Sequence, residues 1–398
     1  KQLDLIISCI KCSSPSRAPH HLKQCFTTSS PSNAQPIDEQ TLPRDRQRQY
    51  CPIRIGQRLV DRYKIVAKVG FGAYSTVWLA RDERQAPTMS ADYAAIKILV
   101  QDERANSPVT NELNVLRKLK ECPSDHFAAS VARLPSQFFE VEGPSGRRHH
   151  CIAAAPRGCS LWDLQDVFPE RRMPHQLVAN MVRGLLGYVT SQNVLRDLFN
   201  DEPFAIVERE EAAEPSVPVM DGDYPVYPSR RVLRRMSDLV GTPCLTDFGS
   251  ARRASLAQTD WCMPDTHRAP EVLMGVPWGC QVDVWSNDIM YVLPVAVAQY
   301  ISVLGPPPMW MVQESRNPHI RALFDDQGKH FMLRSKRRWS CEEPIPEFSL
   351  NEWVTAIPKG QDKEEFLRFI HRILVWEGLE RATSTDLFAE EWTTSGFR

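Results

Sequence analysis

The sequence has almost no net charge, because 48 lysines and arginines are balanced by 49 aspartates and glutamates, which gives a formal charge of −1. Proteins that bind nucleic acid or an anionic membrane through their overall field carry a clear excess of basic residues. We therefore expect neither direct nucleic-acid binding nor membrane association. The 398 residues are 42% hydrophobic and 24% charged, which is ordinary for a soluble protein with a large core.

A long hydrophobic run of the kind that crosses a bilayer is also lacking. Residues 289–305 carry no charge, but Pro294 and Gln299 interrupt the run. A membrane-spanning helix needs about 20 predominantly apolar residues. We expect a buried core helix here.

The 11 cysteines form no repeated pattern. Cys9 and Cys12 make one C-x-x-C pair, but no second pair follows at the spacing of a zinc ribbon, so we expect no metal site there. The other cysteines are expected to be small buried hydrophobic residues of a protein in a reducing compartment.

Two stretches are expected to lie outside the folded core. Residues 1–49 mix Ser, Thr, Pro, Gln and charges without periodicity, which predicts a disordered leader; its basic composition up to Pro36 permits an organelle transit peptide or a flexible tail. Residues 201–240 are acidic and contain prolines, then become basic, which predicts a spacer rather than core.

What the sequence does contain is a glycine-rich turn between β-rich runs, Val69-Gly70-Phe71-Gly72-Ala73-Tyr74-Ser75-Thr76-Val77-Trp78. A third β-rich run carries Lys97. Glycines without side chains let backbone N–H groups approach a polyphosphate, and a lysine supplies a positive charge. The turn alone is a weak indication, since glycine turns are common.

Helical periodicity follows over Val109–Lys120, with Glu112 near its start. Glu112 is either a solvated surface charge or the partner of Lys97. Short strands around a turn are expected between Val131 and Ala155, and a strong amphipathic helix over Met173–Tyr188.

The order of the remaining motifs decides the interpretation. Lys97 and Glu112 are followed by Asp247-Phe248-Gly249 and then by Ala269-Pro270-Glu271, which is the order of the protein-kinase signature. Over residues 50–390 the chain resembles the SR-protein kinases, most closely their fungal members. The stretches that carry this resemblance are Ser75–Ala80, Arg268–Leu273 and Leu304–Pro308.

The resemblance implies an α+β chain with the two-lobed protein-kinase fold, in which a β-rich N-lobe (50–157) precedes a mainly helical C-lobe (158–398). It implies ATP and Mg²⁺ as cofactors, and protein serines in Arg/Ser-rich splicing factors as substrates. We further expect a monomer in the cytoplasm and nucleus. A buried ion pair between Glu271 and Arg381 is expected to stabilise the lower lobe.

The resemblance also assigns the site residues. Lys97, Glu112 and Asp247 would be the catalytic set, and Asn193 with Asp247 would hold the metal. The nucleotide would be bound by Val69, Gly70, Gly72, Ser75, Val77, Ala95, Lys97 and Ala155, with the backbone of the segment 152–158 taking the adenine edge.

One part of the family pattern is absent. A protein kinase carries His/Tyr-x-Asp-x-Lys-x-x-Asn after the long amphipathic helix, whereas Asn193 is here preceded by neither the aspartate nor the lysine. Asp197 is a poor substitute, because Phe199 stands where the lysine is needed and Glu202 where the asparagine is needed.

Together with a second shortening near Tyr291–Ala298, the gap leaves three interpretations: an impaired kinase, an inactive nucleotide-binding pseudokinase scaffold, or a defective coding sequence.

Overall fold

The computed structural model of the chain describes residues 5–6, 36–42, 49–83, 93–102, 104, 107–123, 132–144, 146–156, 168–169, 178, 182, 202–222, 224–232, 245–253, 256–263, 268–285, 293–321, 323–324, 345–347, 349–355 and 357–394. They form two compact units. One contains the described parts of 36–169 and 202–245, and the other contains those of 246–394 with residues 5–6, 178 and 182.

The strands are β1 (Leu5–Ile6), β2 (Arg58–Leu59), β3 (Tyr63–Gly72), β4 (Ser75–Asp82), β5 (Tyr93–Leu99), β6 (Pro135–Glu142), β7 (Arg148–Ala154), β8 (Val219–Asp221), β9 (Tyr224–Val226) and β10 (Arg252–Arg253). Six of them form one antiparallel sheet in the order β2-β3-β4-β5-β7-β6. The pair β8–β9 forms a hairpin, and β1 pairs with β10.

The helices are α1 (Pro108–Lys120), α2 (Glu202–Ala213), α3 (Pro270–Met274), α4 (Gln281–Trp285), α5 (Leu293–Leu304), α6 (Met309–Glu314), α7 (Pro318–Arg321), α8 (Leu350–Trp353), α9 (Gln361–Ile373), α10 (Ser384–Phe388) and α11 (Glu391–Thr394). Short 3-10 helices lie at Asp38–Thr41, Phe248–Ser250 and Gly378–Glu380. The sheet-rich first part and helix-rich second part fit a kinase fold.

Alternation along the strands builds one core face of the sheet. Successive side chains point to opposite faces of a strand, so Tyr63 and Ile65 of β3 join Ile96 and Ile98 of β5 in one buried cluster. The two strands expected between Val131 and Ala155 are β6 and β7, which pair in register from Gln137 to Glu142.

Helix α1 begins where the local sequence caps it. The Ser107 side chain accepts a hydrogen bond from the Thr110 N–H, and Pro108 occupies the first turn, where its missing N–H costs nothing. The expected helix over Val109–Lys120 is confirmed, with a start one residue earlier.

The segment expected to be a spacer is part of the core in the structure. Phe204 and Val207 of α2 are 3% and 0% exposed, and they pack on the second face of the sheet against Val66, Leu79 and Tyr93. The segment is acidic overall, so its composition does not indicate that these two apolar side chains lie one helical turn apart. The described residues of 202–245 therefore belong to the same compact unit as the sheet.

Polar contacts fix α2 on the sheet as well. Arg81 of β4 donates to both carboxylate oxygens of Glu208, with distances of 2.8 and 2.6 Å for its Nε and Nη2. The Tyr93 hydroxyl donates to the same carboxylate at 2.5 Å. Burial alone would raise the pKa of Glu208, but these hydrogen bonds hold it below its usual value.

Part of the expected disordered leader is also ordered. Residues 38–41 form a 3-10 helix, and Asp38 and Glu39 both pair with the buried ammonium of Lys68 on β3. The alternating pattern of β3 places Lys68 on a solvent face, so nothing local indicates that it needs acidic partners.

The second unit has a core of aromatic and aliphatic side chains. Tyr300 of α5 packs edge-on against Trp285 and Trp376, with ring centroids 5.1 and 6.1 Å apart. The described part of the uncharged run is therefore the core helix α5, Leu293–Leu304, as expected. Among the described residues, no helix is both long enough and apolar enough to cross a membrane. Of the expected helix over Met173–Tyr188, the structure describes only Val178 and Val182, which are helical and pack against the core of the second unit.

The buried pair of Glu271 and Arg381 is confirmed. The Arg381 Nη1 and Nη2 atoms donate to the two Glu271 oxygens at 2.9 and 3.1 Å, and the arginine side chain is fully buried. Remaining guanidinium hydrogens bond to backbone carbonyls, including that of Gln281 at 2.6 Å. Gly378 is required beside the pair, because an added Cβ would lie 2.9 Å from the Glu271 Oε1 atom.

The packing of α2 predicts that Val207→Ala destabilises the protein by about 2 kcal/mol, since it removes buried methyl groups and leaves a cavity. Chemical denaturation measures the loss. The matched control is Val217→Ala, because Val217 is 80% exposed in the same segment and should change stability by less than about 0.5 kcal/mol. Equal effects of the two substitutions would contradict the docking of α2.

The buried ion pair predicts that Arg381→Met costs about 3–5 kcal/mol, because it leaves the Glu271 carboxylate buried without its partner. Arg368→Met is the control. Arg368 pairs with Glu391 at 3.0 Å, but both side chains are more than half exposed, so we expect a loss of at most about 1 kcal/mol. The same denaturation measurement compares the two; comparable losses would show that burial of the pair does not matter.

Candidate functional site

The glycine turn joins β3 to β4 with Ala73 and Tyr74 at its tip, and the strands close in register with Gly72 opposite Ser75. Neither Gly70 nor Gly72 has a positive φ. A Cβ built on Gly72 meets no described atom within 4 Å, and one built on Gly70 meets only the Val77 Cβ at 4.0 Å. The protein's own packing thus does not require glycine here, and the space above the turn is open.

Lys97 and Glu112 are brought together as predicted. The Lys97 ammonium lies 2.6 and 2.8 Å from the two carboxylate oxygens of Glu112, which joins β5 to α1. The lysine side chain is 22% exposed and the glutamate 6%. Glu112 thus fixes the position of the ammonium, and the lysine side chain remains partly exposed.

The other nucleotide-site residues of the sheet unit lie around this lysine. Val77 is opposite Lys97 in the β4–β5 ladder, and Ala95 lies two residues before Lys97 on the same strand face. Val69 is half-buried beside a register shift, and Ser75 is buried at the start of β4. Val77 and Ala95 thus share a face of the sheet with Lys97, whereas Val69 packs against the cluster that contains Phe204 and Val207.

Ala155 follows β7 and is exposed, as a residue that offers its backbone to a ligand should be. Its carbonyl accepts hydrogen bonds from Nε and Nη2 of Arg133, at 3.1 and 2.9 Å. Sequence reasoning missed Arg133, because a bond to a backbone carbonyl has no signature in residue type. The guanidinium occupies part of the backbone edge that was expected to contact adenine.

Asp247 belongs to the second unit and is described by itself. It is half-buried and lies in the left-handed region with φ 63° and ψ 64°, which is uncommon for an aspartate. The following Phe248 is 1% exposed and anchors the turn. A carboxylate oxygen is a suitable ligand for a divalent cation such as Mg²⁺. Asn193 and Asp197 lie outside the described residues.

The segment between Asp247 and Glu271 is held by its own residues. Arg268 donates to the carbonyls of Cys262 and Met263 at 3.1 and 3.0 Å, and its guanidinium stacks on Trp261 with 3.9 Å to the ring centroid. Arg252 pairs with Asp260 at 2.7 Å. Thr259, in the same segment, is exposed.

The groups present fit a nucleotide with a divalent cation. In the sheet unit, the open space that a Cβ at Gly72 would fill and the partly exposed Lys97 side chain fit a polyphosphate. In the second unit, taken by itself, the oxygen donor of Asp247 fits a divalent metal. Each supplies what a polyphosphate or its metal needs.

Comparison with known proteins gives the class. No protein-family model matches the chain. The chain is 29% identical to a serine/threonine protein kinase of Aspergillus fumigatus, over 94% of this chain and 96% of that protein. It is 27% identical to the serine/threonine-protein kinase SRPK of Physarum polycephalum, over 61% and 62% of the two chains. It is 25% identical to the human dual specificity protein kinase CLK1, over 82% and 65%.

These relatives are named as serine/threonine or dual specificity protein kinases, and the similarities support a protein kinase by family. The assignment of the glycine turn and the Lys97–Glu112 pair to a nucleotide site remains a prediction from the sequence.

The open space at the turn predicts opposite effects of Gly72→Ala on folding and on binding. Alanine restricts the unfolded chain and fits the backbone here, so the nucleotide-free protein should be unchanged or more stable by up to about 1 kcal/mol. The new methyl group occupies the phosphate space, so Mg²⁺–ATP should bind about tenfold more weakly, or about 1.4 kcal/mol. Calorimetric titration and thermal melts measure both; unchanged affinity would contradict this use of the glycine.

Proposed function

We propose that the chain is an ATP- and Mg²⁺-dependent protein serine/threonine kinase of the SR-protein kinase type, with a slow phosphoryl-transfer step. The observation that carries the proposal is the open glycine turn beside the Lys97–Glu112 pair. Its substrates would be serines in Arg/Ser-rich splicing factors. This substrate class comes from the family resemblance, to which the similarity to the SRPK-named and CLK1-named relatives adds support.

The two-lobed arrangement, a monomeric state and a location in both cytoplasm and nucleus belong to the same proposal. So does the absence of a direct nucleic-acid or membrane partner, which the balanced charge favours.

Different residues would bind the phosphates and the metal. Backbone N–H groups of the turn at Gly70–Gly72 would hold phosphate oxygens, and Lys97, oriented by Glu112, would add a positive charge. Asp247 would hold the metal, with Asn193 as the second ligand implied by the family pattern. Bound Mg²⁺–ATP supplies the phosphoryl group that is transferred.

We expect a slow transfer step because of the sequence between the expected amphipathic helix, Met173–Tyr188, and Asn193. No His-x-Asp-x-Lys precedes Asn193, so neither an aspartate is placed to orient the substrate hydroxyl nor a lysine to neutralise the transferred group. A positioned acid–base group contributes roughly 10²–10⁴ to a rate. We expect turnover to fall by at least this factor relative to a complete kinase.

The second candidate function is a nucleotide-binding scaffold that transfers nothing, and the same missing motif favours it. Binding and transfer depend on different residues, so the two functions are separated by measuring both. If the chain as written binds no nucleotide and shows no cooperative melt, a defective coding sequence is the explanation.

The deciding experiment is a thermal shift of the purified chain with Mg²⁺–ATP, run beside phosphotransfer to an Arg/Ser peptide. We expect stabilisation by Mg²⁺–ATP that Lys97→Ala abolishes. Lys64→Ala is the matched control, since Lys64 is an exposed lysine of β3 away from Glu112 and should leave the shift unchanged.

The transfer assay then distinguishes the two candidates. Slow transfer that is lost in Asp247→Asn supports the kinase, and stabilisation without any transfer supports the scaffold. Lack of stabilisation in the unmodified chain would overturn both.

A further inference from the structure

The tip of the glycine turn is held from outside the two strands that form it. The Tyr50 hydroxyl donates to the Gly72 carbonyl at 2.6 Å, across 22 positions of sequence. This distance is at the short end of the range for O–H···O hydrogen bonds. On the other side of the tip, the Val100 N–H donates to the Tyr74 carbonyl at 2.9 Å. Both carbonyls that flank the tip are therefore occupied.

Tyr50 itself is attached to the sheet. Gln49, its neighbour, accepts a hydrogen bond from the Gln101 N–H at 3.2 Å, just beyond the end of β5. Cys51 and Ile53 are 6% and 1% exposed in the core cluster of the sheet. The hydroxyl is thus presented from a fixed support, so its hydrogen bond restrains the turn.

A further contact restrains the turn from a residue that precedes it in the sequence. The Lys68 ammonium lies 5.4 Å from the centroid of the Phe71 ring, within the range of a cation–π contact. Lys68 is in turn held by Asp38 at 3.0 Å and by the Tyr227 carbonyl at 3.1 Å. Phe71, which lies between the two glycines, is therefore restrained by Lys68, whereas Gly72 is restrained by Tyr50.

We infer that Tyr50 is a positioning residue, which holds the phosphate-binding turn in the conformation that receives a nucleotide. A turn with two glycines loses much conformational freedom when a ligand orders it, and a restraint present beforehand lowers that cost. The hydroxyl does not touch the ligand in this role. The inference rests on the proposed function, because it concerns the nucleotide site of a kinase.

The test compares Tyr50→Phe with Tyr63→Phe. Each substitution removes one hydroxyl from the same unit, but the Tyr63 hydroxyl donates to the Gln137 side chain at 3.2 Å, away from the turn. Without nucleotide, hydrogen–deuterium exchange should rise about 3–10-fold at amides of residues 70–76 in Tyr50→Phe only, as expected for the loss of one hydrogen bond.

Binding supplies a readout that a merely structural role would not change. We expect Tyr50→Phe to weaken Mg²⁺–ATP about 3–10-fold and to leave adenosine unchanged, because the turn contacts the phosphates alone. Tyr63→Phe should leave both affinities unchanged.

The outcomes separate this inference from the proposed function. If the unmodified chain binds no Mg²⁺–ATP, the proposed function fails, whatever the exchange data show, and the positioning role fails with it. If the unmodified chain binds ATP, the inference alone is overturned by unchanged exchange at the turn, by an equal loss of ATP and adenosine affinity, or by equal behaviour of the two variants.

Discussion

The sheet unit depends on the neutralisation of one buried charge. The Lys68 side chain is fully buried on β3, where an unpaired ammonium would cost several kcal/mol of folding free energy. Asp38 and Glu39 pair with it, and the Tyr227 carbonyl accepts from it at 3.1 Å. Two segments distant in sequence must therefore dock before β3 can bury this lysine. The strand that leads into the glycine turn is thereby fixed by contacts outside the sheet.

This dependence explains which parts of the fold could be predicted from the sequence. Strands β3 to β7 and helix α1 follow from alternation, helical period and a serine cap, which act within a few residues. The same alternation places Lys64 and Lys68 on one face, and only Lys64 is exposed. Lys68 is covered by residues that are distant in the sequence, and no local sequence pattern indicates its burial. The burial of Val207 was missed for the same reason, because an acidic composition masks a short apolar face.

The residues of the candidate site also differ in whether they could be predicted from the sequence. Lys97 and Glu112 were predictable because the order of several motifs constrains them jointly, and the structure places their charged atoms within 2.6 Å. Tyr50 and Arg133 were not, since both bind backbone carbonyls. Every residue carries a carbonyl, so hydrogen bonds of this kind leave no trace in residue type. Sequence reasoning thus finds the groups that face a ligand more readily than those that hold them in place.

The residues of the candidate site differ in whether folding alone explains them. Glu112 is 5% exposed, and a carboxylate so buried needs a cationic partner whether or not a ligand binds. The Lys97–Glu112 pair would therefore be kept by a scaffold as readily as by an enzyme. Gly72 has neither a positive φ nor a neighbouring described atom that would exclude a side chain, so folding alone does not demand it. The turn at Gly72 leaves room for a ligand, whereas burial alone accounts for the ion pair. The open turn is thus a stronger argument for nucleotide binding than the ion pair beside it.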